Sequence, residues 1–268
     1  MREVAVQFTI LGSGSGGNCA YLETEDTRIL IDAGFSGKQI RERMTGIGRG
    51  PETLDGILIT HEHSDHIQGL AGLCSRQRLT VYCNRLTREA IELEFKGRDS
   101  VPNIDFRLFS TGSTFEIGSV SIETFSVPHD AYDPVGFMIQ TGGVNIGFLT
   151  DLGHATKLVL ERVRRSHVLL VETNHDPQML ADDPRRPWSL KQRILSRHGH
   201  LSNQAAAEAV QEVMSADLRH LYLAHLSRDC NTPELAYAAV QGRIQQMGAS
   251  HVAVHTTSQE SACATLSL

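Results

Sequence analysis

The stretch THEHSDH, residues 60–66, puts three histidines and two carboxylates into six consecutive positions at the end of the apolar run GILIT. A buried-looking strand that delivers so many donors at its carboxyl end needs something to bind them. Side chains alternate along an extended chain, so His61 and His63 share one face and can grip a single ion. Asp65 and His66 lie past the turn, aim elsewhere and suit a second ion. Imidazole and carboxylate donors suit zinc, manganese or iron, whereas a soft copper site would want sulfur. Four donors from one loop would crowd a single tetrahedral ion that also keeps an open catalytic position. Two ions roughly 3.5–4 Å apart, sharing a hydroxide, relieve that crowding.

The remaining ligands are expected at other strand tips. His129 follows SIETFSVP, Asp151 follows VNIGFLT and His225 follows LRHLYLA, each a polar residue ending a run that wants to be buried. Short β-rich runs fill the first third (VAVQFTIL, CAYLET, RILIDAG, GILIT, TVYC), with helices predicted over residues 36–44 and in HIQGLAGLCSRQ. The middle is strand-rich again: FRLF, STFEI, SVSIETFSV, VGFMIQ, VNIGFLT. After it, HVLLVE, LRHLYLAHL and HVAVHTT alternate with the helical patterns SNQAAAEAVQEVM and TPELAYAAVQGRIQQM. Ser202 and Thr232 are plausible caps of those helices, with Pro233 in the first turn of the second. Strand-rich runs interrupted by helices in both halves predict two stacked sheets with helices outside. Composition alone does not separate that arrangement from a doubly wound sheet.

A chain of 268 residues, 40% hydrophobic and 21% charged, can bury a substantial core. Its start shows none of the basic, apolar and small-residue segments of a signal peptide, and no apolar run approaches the roughly 20 residues that cross a bilayer. The five cysteines are scattered and never spaced CxxC, which argues against a disulfide framework and a thiolate zinc site and favours a reducing cytoplasm. A net charge of −6 speaks against a nucleic-acid coat protein. Locally, however, Arg185, Arg186, Lys191, Arg193 and Arg197 fall within thirteen residues.

These residues resemble the metallo-β-lactamase superfamily, whose HxHxDH signature is matched by His61, His63, Asp65 and His66. Nearly the whole chain takes part, and the resemblance implies one domain over residues 1–268 with the αβ/βα four-layer sandwich of the α/β class. It implies that His61, His63 and His129 hold one metal ion, that Asp65, His66 and His225 hold another, and that Asp151 bridges them. Asp32, in LIDAG, matches a structural aspartate that supports the metal loop. The likeness is highly specific for fold and metal centre and weakly specific for substrate. Within the superfamily the chain is most similar to the YycJ/WalJ-like branch, through LGSGSGGN, THEHSDH, TDLGH, VETNHD, GHLSN and LAHLSRDCN. That branch implies a 5′-to-3′ exonuclease acting on DNA in the cytoplasm with two divalent ions, manganese, zinc or iron.

Departures from other branches narrow the chemistry. Lactamases of the superfamily carry cysteine where Asp151 stands, and the diiron branch prefers glutamate in place of His63. Only about forty residues follow His225, leaving little room for a thiolester hydrolase's helical substrate domain. His200 and Ser202, in GHLSN, match the His-x-Ser/Thr element that contacts the scissile phosphate or protonates the leaving oxygen in phosphodiesterases of the superfamily. Helix N-terminal amides attract an anion there, and an imidazole can supply a proton. Glu172 matches the glutamate that orients such a histidine, although valine replaces the residue before it. Asp65, His200 and Glu172 are therefore the expected catalytic groups, and Asn18, Asn174, Arg193 and Ser202 the expected substrate contacts. The basic run is expected to form a flap over residues 176–200 beside the metals, with Trp188 either stacking on a base or anchoring the flap to the core. The loop over residues 12–18 is either an anion-approaching glycine loop or a plain tight hairpin. Two rivals remain at this level. One is a hydrolase of small esters, lactones or cyclic phosphodiesters with the same metal centre; the other is a non-catalytic metal-stabilised binding module.

Overall fold

The computed structural model describes residues 6–96 and 104–268. The first sheet contains β1 (Gln7–Gly12), β2 (Cys19–Glu23), β3 (Arg28–Ile31), β4 (Gly56–Leu58), β5 (Thr80–Cys83) and β6 (Asp105–Leu108) in that spatial order. The second runs β7 (Thr114–Ile117), β8 (Val120–Ser126), β9 (Val135–Thr141), β10 (Val144–Leu149), β11 (Val168–Glu172), β12 (His220–Ala224) and β13 (Ala253–Thr256). The short β14 (Leu266–Ser267) returns to pair with β1 at the edge of the first sheet. Each sheet begins as an antiparallel meander and becomes parallel, from β3 in the first and from β10 in the second. Parallel neighbours need crossovers, which helices supply.

Period-two alternation distributes each strand between two cores. In β11, Val168 and Leu170 face the other sheet, while Leu169 and Val171 face outward. Outside the second sheet lie α5 (Lys157–Val163), α8 (Asn203–Val213) and α9 (Pro233–Gln246), which bury Val159, Val210 and Val240 among others. Outside the first lie α1 (Gly37–Gly46), α3 (Leu70–Cys74) and α4 (Arg85–Phe95), which bury Met44, Leu73 and Ile91. Helix, sheet, sheet and helix make the expected four-layer sandwich. No helix among the described residues is long and apolar enough to cross a membrane.

Two local expectations need correction. HIQGLAGLCSRQ does not form one helix: α2 (Ser64–Ile67) stops and α3 begins beyond Gly69. Gln68 and Gly69 keep right-handed helical dihedrals, but Gly69 N donates to Ala33 O at 2.7 Å and Asp65 O accepts from Asn18 N at 2.8 Å, so the helical hydrogen-bond ladder is broken there. The second is α4, built from RLTREAIELEF and not anticipated, which opens on an Asn84 side chain that accepts from Thr87 N.

Among the described residues, three that are not glycine adopt left-handed backbone: Asp32 (φ 59), Asp151 (φ 51) and His225 (φ 55). Each lies within two residues of the carboxyl end of a strand, after β3, β10 and β12. Asp and His tolerate this region better than most residues, yet it costs on the order of 1–3 kcal/mol per site and clusters where function requires it.

Candidate metal centre

Seven donors converge beyond the carboxyl ends of four strands: four in the loop after β4, His129 after β8, Asp151 after β10 and His225 after β12. His61 Nε2 lies 3.1 Å from His63 Nδ1, and His129 Nε2 lies 3.3 Å from that same His63 atom. A second group gathers Asp65, His66, Asp151 and His225: Asp65 Oδ2 is 3.2 Å from His225 Nε2, and His66 Nε2 is 3.1 Å from Asp151 Oδ2. Asp151 reaches both groups, its Oδ1 lying 3.9 Å from His129 Nε2.

The hydrogen bonds behind these rings fix which nitrogen faces inward. His61 Nδ1 meets Thr60 Oγ1 at 3.0 Å, and His66 Nδ1 meets Asp32 Oδ2 at 2.7 Å. His129 Nδ1 meets Gly199 O at 3.1 Å, and His225 Nδ1 meets Glu172 Oε1 at 2.8 Å. An acceptor behind Nδ1 keeps the proton there and turns the Nε2 lone pair toward the cluster. The clusters are thus Lewis bases facing one another. Asp151 Oδ2 is buried without a hydrogen bond, and Asn18 Nδ2, a neutral donor, lies 3.2 Å from His66 Nε2. Burial and the neighbouring His66 hold His61 well below the ordinary imidazole range. Burial acts the same way on His66 and His225, but the surrounding carboxylates outweigh it and raise both. A pocket that draws positive charge onto imidazoles it has buried fits a divalent cation.

Glu172, the last residue of β11, is fully buried and accepts four hydrogen bonds. Oε1 receives His200 Nδ1 at 2.7 Å and His225 Nδ1 at 2.8 Å, and Oε2 receives Leu152 N at 3.0 Å and Leu201 N at 2.9 Å. Burial opposes its ionisation, yet the charge of His200 and the bonds from both histidines hold the carboxyl low, at about 2. Asp32 plays the same part behind the loop, accepting from Thr60 N at 2.9 Å, from Thr60 Oγ1 and from His66. Glu62 turns away from both clusters and accepts from Tyr132 N at 2.9 Å, tethering the loop that carries His129.

A cleft of about 260 Å³ opens over the clusters, lined by His63, Asp65, Asp151, His200 and His225 on one side and by Arg186, Leu190, Arg193 and Ile194 opposite. Within residues 176–200, Arg186 and α7 (Trp188–Ile194) supply that second wall, whereas α6 (Pro177–Asp182) lines none of it. Among the expected substrate contacts, Asn174 and Arg193 line this cleft.

The other two do not. Ser202 caps α8, its hydroxyl accepting from Ala205 N at 3.1 Å. Asn18 is buried behind the metal loop, where its amide bonds Gly14 and approaches Asp65 and His66. In the loop over residues 12–18, Gly14 N, Gly16 N and Gly17 N bond Asn18 Oδ1, Gln259 Oε1 and Gly14 O, so these amides are committed within the protein.

The basic run is also less free than its sequence suggests. Arg185 and Arg186 both pair with Asp183 and Asp229, and Lys191 is buried with Nζ donating to Ala181 O at 2.6 Å. Trp188 is 66% exposed and joins none of the core clusters. Leu190, Arg193 and Ile194 of α7 line the cleft, and Trp188, at the first position of that helix, is not among the lining residues. Sequence reasoning missed Thr60, which ties His61 to Asp32, and Asp130, which pairs with Arg193. Their adjacency to His61 and His129 was the available signal.

Fold and site together define a metallo-β-lactamase-type hydrolase fold with histidine and aspartate clusters suited to divalent metal. Residues 27–226 match the family described as Beta-lactamase superfamily domain, and the chain belongs to it. It is 39% identical over 246 residues to Exodeoxyribonuclease WalJ of Streptococcus pneumoniae serotype 2 (strain D39 / NCTC 7466), covering 92% of this chain and 91% of that protein. It is 36% identical over 245 residues to Exodeoxyribonuclease YycJ of Bacillus anthracis, covering 91% of each. The crystal structure of the metallo-beta-lactamase fold protein YhfI from Bacillus subtilis superposes with a TM-score of 0.75 at 16% identity, covering 99% of this chain and 100% of that one.

Proposed function

We propose that the protein is a divalent-metal-dependent phosphodiesterase that removes nucleotides from DNA in the 5′-to-3′ direction. The reading is carried by His200, held at the cleft wall by Glu172 beside two clusters of inward-facing ligands. The relatives described as exodeoxyribonucleases, matched over nine-tenths of the chain, support the substrate class.

His61, His63 and His129 would hold one ion and Asp65, His66 and His225 a second, with Asp151 between them; manganese, zinc and iron all suit these donors. Such ions supply an activated water and neutralise charge building on the phosphate oxygens. The chain's own residues do the rest. His200 donates from Nδ1 to Glu172, which leaves Nε2 to carry a proton to the leaving oxygen. Burial disfavours the imidazolium, but the Glu172 carboxylate outweighs it and raises the pKa of His200 above the ordinary imidazole value. Glu172 orients His225 through the same oxygen, so acid and ligand share one anchor. Arg193 is placed to receive a phosphate oxygen from the opposite wall, with residues 176–200 acting as a flap on the single domain. The five cysteines are all free thiols, which suits a reducing cytoplasm.

The test is to incubate end-labelled single-stranded and duplex DNA, bis-p-nitrophenyl phosphate and a lactone with protein loaded with each metal in turn. DNA shortening from the 5′ end is expected; lactone hydrolysis without DNA cleavage would overturn the reading. His200→Ala should keep its metal content and lose roughly 10²–10⁴-fold in turnover.

A further inference from the structure

The cleft contains a carboxylate that neither ligand cluster uses. Asp130 follows His129 directly, lines the cleft, and accepts through Oδ2 from Arg193 Nε across on α7. Its Oδ1 lies 3.4 Å from His129 Nε2, the nitrogen that also faces His63. Yet Asp130 belongs to none of the described groups whose ligand atoms all lie within 4.8 Å of one another. One oxygen therefore meets a guanidinium and the other meets the rim of the first cluster. Among the described residues Asp130 is the one acceptor on the Arg193 side chain, whereas Arg186, the other guanidinium in the cleft, is held by both Asp183 and Asp229.

A phosphodiester poised for hydrolysis makes the same pair of demands, with one nonbridging oxygen toward the cation site and another toward an arginine. Carboxylate and phosphate both match the guanidinium fork, so they compete for it. We propose that Asp130 is an internal stand-in for the substrate phosphate: it holds Arg193 in the binding position and is displaced when a phosphodiester enters. Asp130 is thus a residue that sets substrate affinity, a role resting on the phosphodiesterase reading above.

Asp130→Asn keeps the side-chain shape and removes the charge that competes with the phosphate. An exposed ion pair of this kind is worth little, so the expected effect is about a two- to fivefold fall in KM for DNA, with kcat changed less than about twofold. The inhibition constant of inorganic phosphate should fall by the same factor, and metal content should not change. In an Arg193→Ala background the effect of Asp130→Asn should vanish, because the competitor then has nothing to compete for. A higher KM, loss of bound metal or an effect that persists without Arg193 would overturn the proposal. Calorimetric titration of the metal-loaded protein with inorganic phosphate separates this idea from the DNA assignment. Should the protein cut no DNA, tighter phosphate binding by Asp130→Asn would still support the stand-in, and unchanged or weaker binding would refute it.

Discussion

Replacing Glu172 with glutamine tests the anchor on which the site's chemistry depends. The side chain is fully buried and its two oxygens receive four N–H groups, two from imidazoles and two from backbone. Glutamine has nearly the same shape but only one oxygen. Its NH₂ must face either the Leu152 and Leu201 amides or the two imidazole Nδ1–H groups, donor against donor. Two hydrogen bonds are lost in either orientation, each worth about 1.5–3 kcal/mol to a charged acceptor, so the expected loss of stability is roughly 3–6 kcal/mol. Against a total of about 5–15 kcal/mol for a typical domain, that is a large fraction. Urea denaturation at fixed metal concentration reads it as a lower midpoint with an unchanged slope. The carboxyl is held at about 2 in the fold against an ordinary 4.5, so its contribution is complete at neutral pH and lost as pH falls through that interval. The gap between wild type and Glu172→Gln should therefore narrow below about pH 4.5. Activity should drop roughly 10²–10⁴-fold, since His200 loses the group that charges and orients it. A variant with an unchanged midpoint and near-normal turnover would refute the claim that this carboxylate holds the two histidines.

Two further substitutions probe residues behind the clusters. Asp32→Asn keeps a residue that tolerates φ 59 but loses an acceptor for Thr60 or His66, so metal affinity, measured by competition with a chelating dye, should weaken about 10–100-fold. Ser202→Ala removes a helix cap and should cost about 1 kcal/mol in thermal or urea unfolding while KM for DNA stays the same, which would separate a cap from a substrate contact.

The convergence of seven donors was legible because its signals are local. THEHSDH announces itself within one loop, and His129, Asp151 and His225 each stand at the tip of an apolar run. What stayed hidden depends on where remote side chains point. The run from Arg185 to Arg197 reads as an exposed basic surface until Asp183, Asp229 and Asp130 are seen to neutralise much of it, and Asp229 lies 43 positions from its partner Arg186. Asn18 sits in a glycine-rich loop that resembles an anion cradle, yet its amide is turned inward to the chain's own backbone. Left-handed backbone at Asp32, Asp151 and His225 has no one-dimensional signature, because aspartate and histidine are ordinary residues after a strand. The break at Gly69 belongs to the same class: periodicity sees a continuous helix, and only the remote Ala33 carbonyl and Asn18 amide take the hydrogen bonds that would continue it.

The donors come from both halves of the sandwich. His61, His63, Asp65 and His66 hang from the first sheet, and His129, Asp151 and His225 from the second. A bound cation would thus rivet two independently hydrogen-bonded sheets across their shared apolar seam. Loading and unloading would then be felt far from the ions, as tighter or looser docking of one half of the molecule on the other.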